Sequence, residues 1–385
     1  MTFDILSKPV YHGENNKFAL ACHVRKHLAS GEIFMQSGRR RALQSLLGSL
    51  LIPGLGIAQQ RNPYSPESGS GNETVIRLNL PGPGSLPFLP LELIPALGFD
   101  REMGVRLLLR YHPSGIRAME DVLGGNADFA ALGFPALPVL QAKGKDVVAI
   151  APISGVEHTF HMVVRKDLAK QITRLQDLKG RTIAASTGSP SSKTYMQMVT
   201  EILLAAHGIG SQQVRWLPTG QNWESISGAL LSKATDAVFC EQPFPNRLIQ
   251  TGLGVSLADL SDPKIRLRIA GIDALRSTIA TSRTLLSQPD GPHKADLMVR
   301  MLRRSLVWLQ ASTPETVARH AVVNSAEERE EIALLLKQTP RIYSTDARFI
   351  AQQIQDTDAF LRAAQGDIRL APAASLVDDR WAGKK

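Results

Sequence analysis

The chain has 385 residues, of which 43% are hydrophobic and 21% charged; at about 150 residues per domain that length predicts two or three domains. This composition excludes a mostly disordered tail, a collagen-like fibre and a polytopic membrane protein, and 5% aromatic residues are few for a surface that stacks bases or sugars. Of the net charge of +9, residues 1–58 supply Lys8, Lys17, Arg25, Lys26, Arg39, Arg40 and Arg41 against Asp4, Glu14 and Glu32, and no run of five or six basic residues follows, so nucleic acid is not an expected partner, whereas a modest positive field suits a small anion.

Arg39-Arg40-Arg41 precedes an apolar run over residues 43–57 (LQSLLGSLLIPGLGI) that closes on Gly56-Ile57-Ala58. Basic, then apolar, then small is the order of a secretory signal. The run is broken by Pro53 and is short of the roughly 20 residues that span a bilayer. Residues 1–58 are therefore expected to be an N-terminal extension and export signal, the signal proper being 35–58 with cleavage after Ala58. A buried core helix is the competing reading. Met1 or Met35 as the start, and general or twin-arginine export, stay open. Residues 59–73, which include RNPYSPESGSGN, read as a polar linker. Beyond it only Cys240 of the two cysteines remains, so no intramolecular disulfide is expected there.

Strands and helices then alternate. Residues 75–80 (VIRLNL) read as a strand, followed by a Pro/Gly loop over 81–85. A second strand is predicted over 105–111, a helix over 114–123 stopped by Gly124-Gly125, and short buried strands over 127–132 and 147–151. The pattern restarts with a strand at 182–185, a helix over 190–207, a strand at 214–217, a helix at 223–231 and a strand at 236–239. Extended segments at 267–269 and 277–281 and helices over 293–311, 314–320, 326–338 and 346–364 complete the chain. Such alternation implies an α/β fold with two mixed, mostly parallel sheets in two lobes, residues 74–157 with 265–385 and residues 158–264, crossed twice by the chain. Ligands of such sheets bind at the carboxyl ends of the strands, here in the cleft between the lobes.

The segments LPLELIPALGFDREMGVRLLLRYHPSG (89–115), GGNADFAALGFPAL (124–137), HTFHMVVRKD (158–167), DLKGRTIAASTGSPSSKTYMQMVTEILLAAHGI (177–209) and SGALLSKATDAVFCEQPFP (227–245) resemble the type II periplasmic solute-binding proteins of ABC importers, in the sulfonate/nitrate/taurine and thiamine-precursor branch. The resemblance implies the two-lobed periplasmic binding protein fold. It departs from the family where Pro87, Pro90 and Pro95 interrupt the helix after the first strand, because an interior proline costs about 3 kcal/mol.

The stretch after the 182–185 strand is the first candidate ligand site: Thr187 and Ser189 offer hydroxyls, Gly188 admits close backbone approach, and the amides of Ser191 and Ser192 would open a helix. Together they make an anion cradle favoured by the helix dipole; an N-cap that satisfies only its own helix is the alternative. Gly84 and Ser85, in the loop after the first strand, are its first-lobe counterpart, with no Gly-Lys-Ser/Thr to make a nucleotide loop; a plain proline-rich turn is the alternative. Gly133 and Phe134 follow the 127–132 strand, Phe134 as a wall for a ligand or as core. His158 and His161 lie three apart, on opposite faces of a strand, which is no metal pair; His158 is either a ligand contact at the first crossing or structural. Asn222 and Trp223, after the 214–217 strand, are further candidates, Trp223 being equally a packing residue at a helix start, and in family terms Glu241 closes the 236–239 strand at the cleft, to bind a cationic group or cap a loop. Arg300, Arg303 and Arg304 read as a solvated helix face.

The expected function is capture of a small organic anion, sulfonate-, nitrate- or taurine-like, in the periplasm and its delivery to the permease and ATPase of an ABC importer. The protein is expected to be a monomer with no catalytic residues, cofactor or metal. Two alternatives stay open. One is an enzyme resembling the thiamine-pyrimidine synthases, with Lys193 and His158 recruited to pyridoxal phosphate chemistry. The other is a periplasmic ligand sensor.

Overall fold

The computed structural model describes residues 73–186, 193–323, 325–365 and 370–385. The expected leader, the linker up to residue 72 and the 187–192 segment lie outside the described residues. Strand β1 (Thr74–Pro81) leads through a 3-10 turn (Leu86–Phe88) into α1 (Leu89–Leu97), then β2 (Val105–His112), α2 (Gly115–Leu123), β3 (Phe129–Gly133), α3 (Ala136–Ala142) and β4 (Val148–Pro152). The chain crosses into β5 (Phe160–Arg165), β6 (Thr182–Ser186), α4 (Tyr195–Ala205), β7 (Arg215–Thr219), α5 (Trp223–Leu231), β8 (Ala237–Glu241), α6 (Phe244–Gln250) and β9 (Gly254–Asp259). It returns through α7 (Pro263–Arg266) to β10 (Ser277–Thr281), and ends in α8 (Arg283–Leu286), α9 (Gly291–Ala311), α10 (Pro314–His320), α11 (Ala326–Gln338) and α12 (Ala351–Gln365).

Two five-stranded sheets result, ordered β2-β1-β3-β10-β4 and β7-β6-β8-β5-β9. In each, the strand that arrives from the other lobe takes the same slot: β10 is antiparallel to β3 and β4, and β5 to β8 and β9, while the remaining pairs are parallel. This is the mixed, two-sheet α/β architecture expected from the sequence. Strands covered on both faces carry apolar strings, as in FAALG of the central β3 and the IAA of β6, and the edge strand β4 (VAIAP) is likewise buried along its length. Each sheet carries its own core, one around Leu78, Phe129 and Ile279 and the other around Met162, Ile183 and Phe239.

The three prolines near α1 fall where they do least harm. Pro87 sits in the 3-10 turn and Pro90 in the first turn of α1, where its missing N–H has no intrahelical partner. Only Pro95 is interior, and Gly98 at φ 77° ends a nine-residue helix. Elsewhere the sequence reading needs correction. Residues 267–269 are not a strand but follow α7 in a turn. Helix α4 begins at Tyr195, after non-helical Lys193 and Thr194, rather than at Pro190. Its start is set by the Thr194 hydroxyl, which accepts from the Gln197 amide and donates to the Ser186 carbonyl. Arg303 is no solvated residue: its guanidinium donates to the backbone carbonyls of Asp346, Trp381 and Ala382.

The C-terminal region straps the two lobes. On α11, Ile332 and Leu335 pack against Leu86, Leu89 and Leu93 of the first lobe. Residues 341–344 then pair with the first crossing, where Gly155 N donates to Ile342 O at 2.7 Å and Ser344 N to Ile153 O at 2.8 Å. Helix α12, beginning at Ala351 rather than near residue 346, places Phe360 and Leu361 in the second core. Val377 finally bridges to Ala149 of β4, back in the first sheet.

Candidate functional site

The carboxyl ends of β1 and β3 face those of β6 and β8 across a cavity of about 40 Å³. Gly133, Arg276 and Ser277 line it from the first lobe, and Phe160, Tyr195 and Glu241 from the second. Two contacts close the lobes around it: the Gln221 amide donates to Pro113 O at 3.2 Å, and Gly133 abuts Tyr195 so tightly that a Cβ there would overlap the tyrosine Cβ. In this arrangement the cavity admits only a few atoms, so a larger guest requires the lobes to part.

Arg276 dominates its electrostatics. It stands immediately before β10, 4% exposed. Its carbonyl accepts from Phe134 N at 2.7 Å, and its Nη2 donates to Gly155 O at 3.1 Å. Among the described residues that is the guanidinium's one hydrogen bond, and no carboxylate lies within ion-pair distance of it. Its charge is balanced only at longer range, by Asp273, whose carboxyl the His158 hydrogen bond and, less strongly, this charge hold below the usual range, and a buried cation without a directly paired counter-ion is costly. Its field reaches Glu241, whose carboxyl burial pushes up to about 7, offset in part by the Arg276 charge and then by the Thr159 hydroxyl donating at 2.9 Å. The Tyr195 hydroxyl is buried with no partner among the described residues, and burial raises its pKa. A buried cation beside a buried carboxyl and a hydroxyl without a partner among the described residues could bind and orient a polar guest.

The structure brings together some of the residues expected from the sequence and separates others. Gly133 and Glu241 line the cavity, and Ser85 lines a small adjoining hollow with Ser186, Gln221 and Glu241. Gly84, at φ 74°, turns its amide back to the Glu92 carboxylate rather than to the cleft. That carboxyl also accepts from Tyr111 Oη at 2.9 Å, and burial pushes it up to about 7. Phe134 is wholly buried in the first core. Asn222 is the N-cap of α5, its Oδ1 accepting from Ser225 N at 2.9 Å.

His158 sits at the first crossing with Nε2 3.1 Å from Asp273 Oδ1. Burial, then the Arg276 charge, depress it to about 4. It lines a larger hollow of about 390 Å³ against the crossings, which shares Arg276 with the cavity between the strand ends. Lys193 pairs with Glu201 at 2.6 Å, so it and His158 have separate partners. Thr187, Gly188, Ser189 and Ser191 lie outside the described residues; the first-turn amides of α4 belong instead to Tyr195 and Met196, both lining the cavity. Among the described residues no group of three or more His, Cys, Asp or Glu is placed to hold a metal ion, and no helix is long and apolar enough to cross a membrane. Arg276 and Tyr195 were missed from the sequence. The one signal for Arg276 was a cation directly before a short, mostly buried strand (STIAT).

Residues 89–262 match the family model described as NMT1/THI5 like. Among solved structures, a protein of Bordetella bronchiseptica RB50 superposes with a TM-score of 0.70 at 21% identity, over 81% of this chain and 96% of its own. The alkanesulfonate-binding protein SsuA of Xanthomonas axonopodis pv. citri, bound to MOPS, superposes with a TM-score of 0.62 at 16% identity, over 80% and 100%. The periplasmic nitrate-binding protein NrtA of Synechocystis PCC 6803 gives 0.51 at 13% identity, over 64% and 65%. No curated protein matches. The family resemblance and the fold expected from the sequence are both borne out.

Proposed function

From a chain that carries an NMT1/THI5-like domain within the type II periplasmic binding protein fold, we propose that the protein captures a small organic anion between its lobes and delivers it to the permease and ATPase of an ABC importer. It acts in the periplasm as a monomer, exported by the 35–58 leader, and performs no chemistry on its guest. The observation that carries this reading is Arg276, a buried guanidinium at the lobe interface with no carboxylate partner among the described residues. An anion in the cleft would pair with the guanidinium directly, which neither Asp273 nor Glu241 does, and tie the lobes together. Thr187, Gly188, Ser189 and Ser191, on the chain between β6 and Thr194, are proposed to complete the cradle. Shifting such a closure from 1:99 to 99:1 takes about 5.5 kcal/mol of differential binding, and charge-assisted hydrogen bonds to one desolvated guest supply about 1.5–3 kcal/mol each.

Arg276→Met tests the reading, since methionine keeps the length and removes the charge. Calorimetry of wild type against small sulfonates, carboxylates and nitrate is expected to find at least one tight ligand, whose affinity the variant lowers by about a hundredfold or more, the loss of two such bonds. Equal affinity in the two proteins would sink it.

A further inference from the structure

Arg247, on α6 of the second lobe, reaches across to the first. Its Nε donates to Glu331 Oε2 and its Nη1 to Glu328 Oε1, each at 2.9 Å. Both carboxylates are on α11, which is packed on the first lobe through Ile332 and Leu335. Helix α6 is fixed in the second lobe by Phe244 and Leu248. The three charges are largely buried, with the Arg247 side chain 13% exposed and that of Glu331 5%. None of them lines the cavity between the lobes.

We infer that Arg247, Glu328 and Glu331 form a latch between the lobes that sets the closed population, and through it the affinity of the cleft, without touching the guest. The effect on affinity rests on the capture reading above; the effect on lobe separation does not. In the closed arrangement Glu331 Oε1 is buried with no hydrogen-bond partner among the described residues, so among them Arg247 is what compensates that carboxylate. Parting the lobes would return all three groups to water. Removing Arg247 alone therefore penalises the closed arrangement and spares the open one, because an uncompensated buried charge is what makes breaking such a pair costly. Replacing all three with neutral groups of similar size removes the penalty as well as the attraction, and is expected to restore closure. An ordinary packing role gives no such rescue.

The test measures lobe separation by electron–electron double resonance in the full chain. Spin labels go at Leu231→Cys on α5 and Val307→Cys on α9, both well exposed, with Cys22→Ser and the buried Cys240 left in place. Arg247→Met is expected to lower the closed-to-open ratio by about a hundredfold. Arg247→Lys, a point charge in place of a fork, is expected to give a smaller shift in the same direction. The triple variant Arg247→Met, Glu328→Gln, Glu331→Met is expected to return towards wild type. Ethanesulfonate titration of the same proteins reads the affinity. If distances shift and recover but no variant binds the sulfonate, the latch stands and only capture of that anion is in question. Unchanged distances in a folded Arg247→Met or Arg247→Lys protein overturn the latch, as does a triple variant no more closed than Arg247→Met.

Discussion

Gly133→Ala is a wedge driven between the lobes. The new methyl would overlap Tyr195 Cβ, and it would stand 3.1 Å from Cγ where ordinary contact begins at 3.4 Å. Tyr195 cannot give way easily. Its Cβ is held by the first turn of α4, and its ring lies between Phe160, 5.8 Å away edge-on, and Phe360, 5.4 Å away. The backbone at Gly133 is not in the left-handed region, so the substitution strains nothing within the first lobe. The whole penalty falls on closure. Overpacking of one methyl costs about 1–3 kcal/mol, which lowers the closed-to-open ratio roughly fivefold to 150-fold. The loss is expected to appear as a larger radius of gyration in small-angle scattering where the free protein is mostly closed, and as a rise in the Kd of whichever anion wild type binds, by up to the same factor, where it is mostly open. Coincident scattering curves together with an unchanged Kd would refute the reasoning, since both follow from a single steric clash.

Three further outcomes are expected. Glu92 has a folded pKa of about 7, above its ordinary 4.5, so its stabilisation is fully present below about pH 4.5 and is lost as pH rises through 7, by up to about 3 kcal/mol. Glu92→Gln cannot titrate, so in urea unfolding it should gain on wild type between pH 5 and pH 8; parallel pH dependences would contradict this. Asn222→Ala removes the α5 cap and should cost about 1 kcal/mol in denaturant midpoint while leaving anion affinity unchanged, and a loss of affinity would restore Asn222 as a ligand contact. Phe360→Ala empties a fully buried site in the second core and should cost about 3–5 kcal/mol; a chemical denaturation shift below 1 kcal/mol would mean that α12 is not integral to that core.

The parts of the fold legible in the sequence are those whose physics is local. Helices α5, α10 and α11 fall at the predicted residues because Asn222, Thr313 and Ser325 cap them, each accepting from an amide three residues on. Their stops are equally local. Helices α3 and α6 and strand β9 were missed: the two helices are seven residues long and follow Pro135 and Pro243 with no side-chain cap, and β9 is a six-residue strand with mixed exposure. The Pro190 rule for a first helical turn misplaced α4, because Thr194 supplied a better cap four residues later. The cleft was harder still. Glu241 was reachable through its family position, but Arg276 matters because it is buried against Gly155, 121 residues away, and no local pattern encodes that distance.

The sheet order has a kinetic corollary. Strand β4 touches the first sheet only through β10, so it has no strand to pair with until residues 153–281 have been made. The second sheet is under no such constraint, since β5, which joins β8 to β9, precedes both. Synthesis proceeds from the amino end, and an unpaired strand edge is an aggregation hazard. The lobe that emerges first from the ribosome is therefore the one completed last, and β4 remains its vulnerable edge for as long as translation of the other lobe takes.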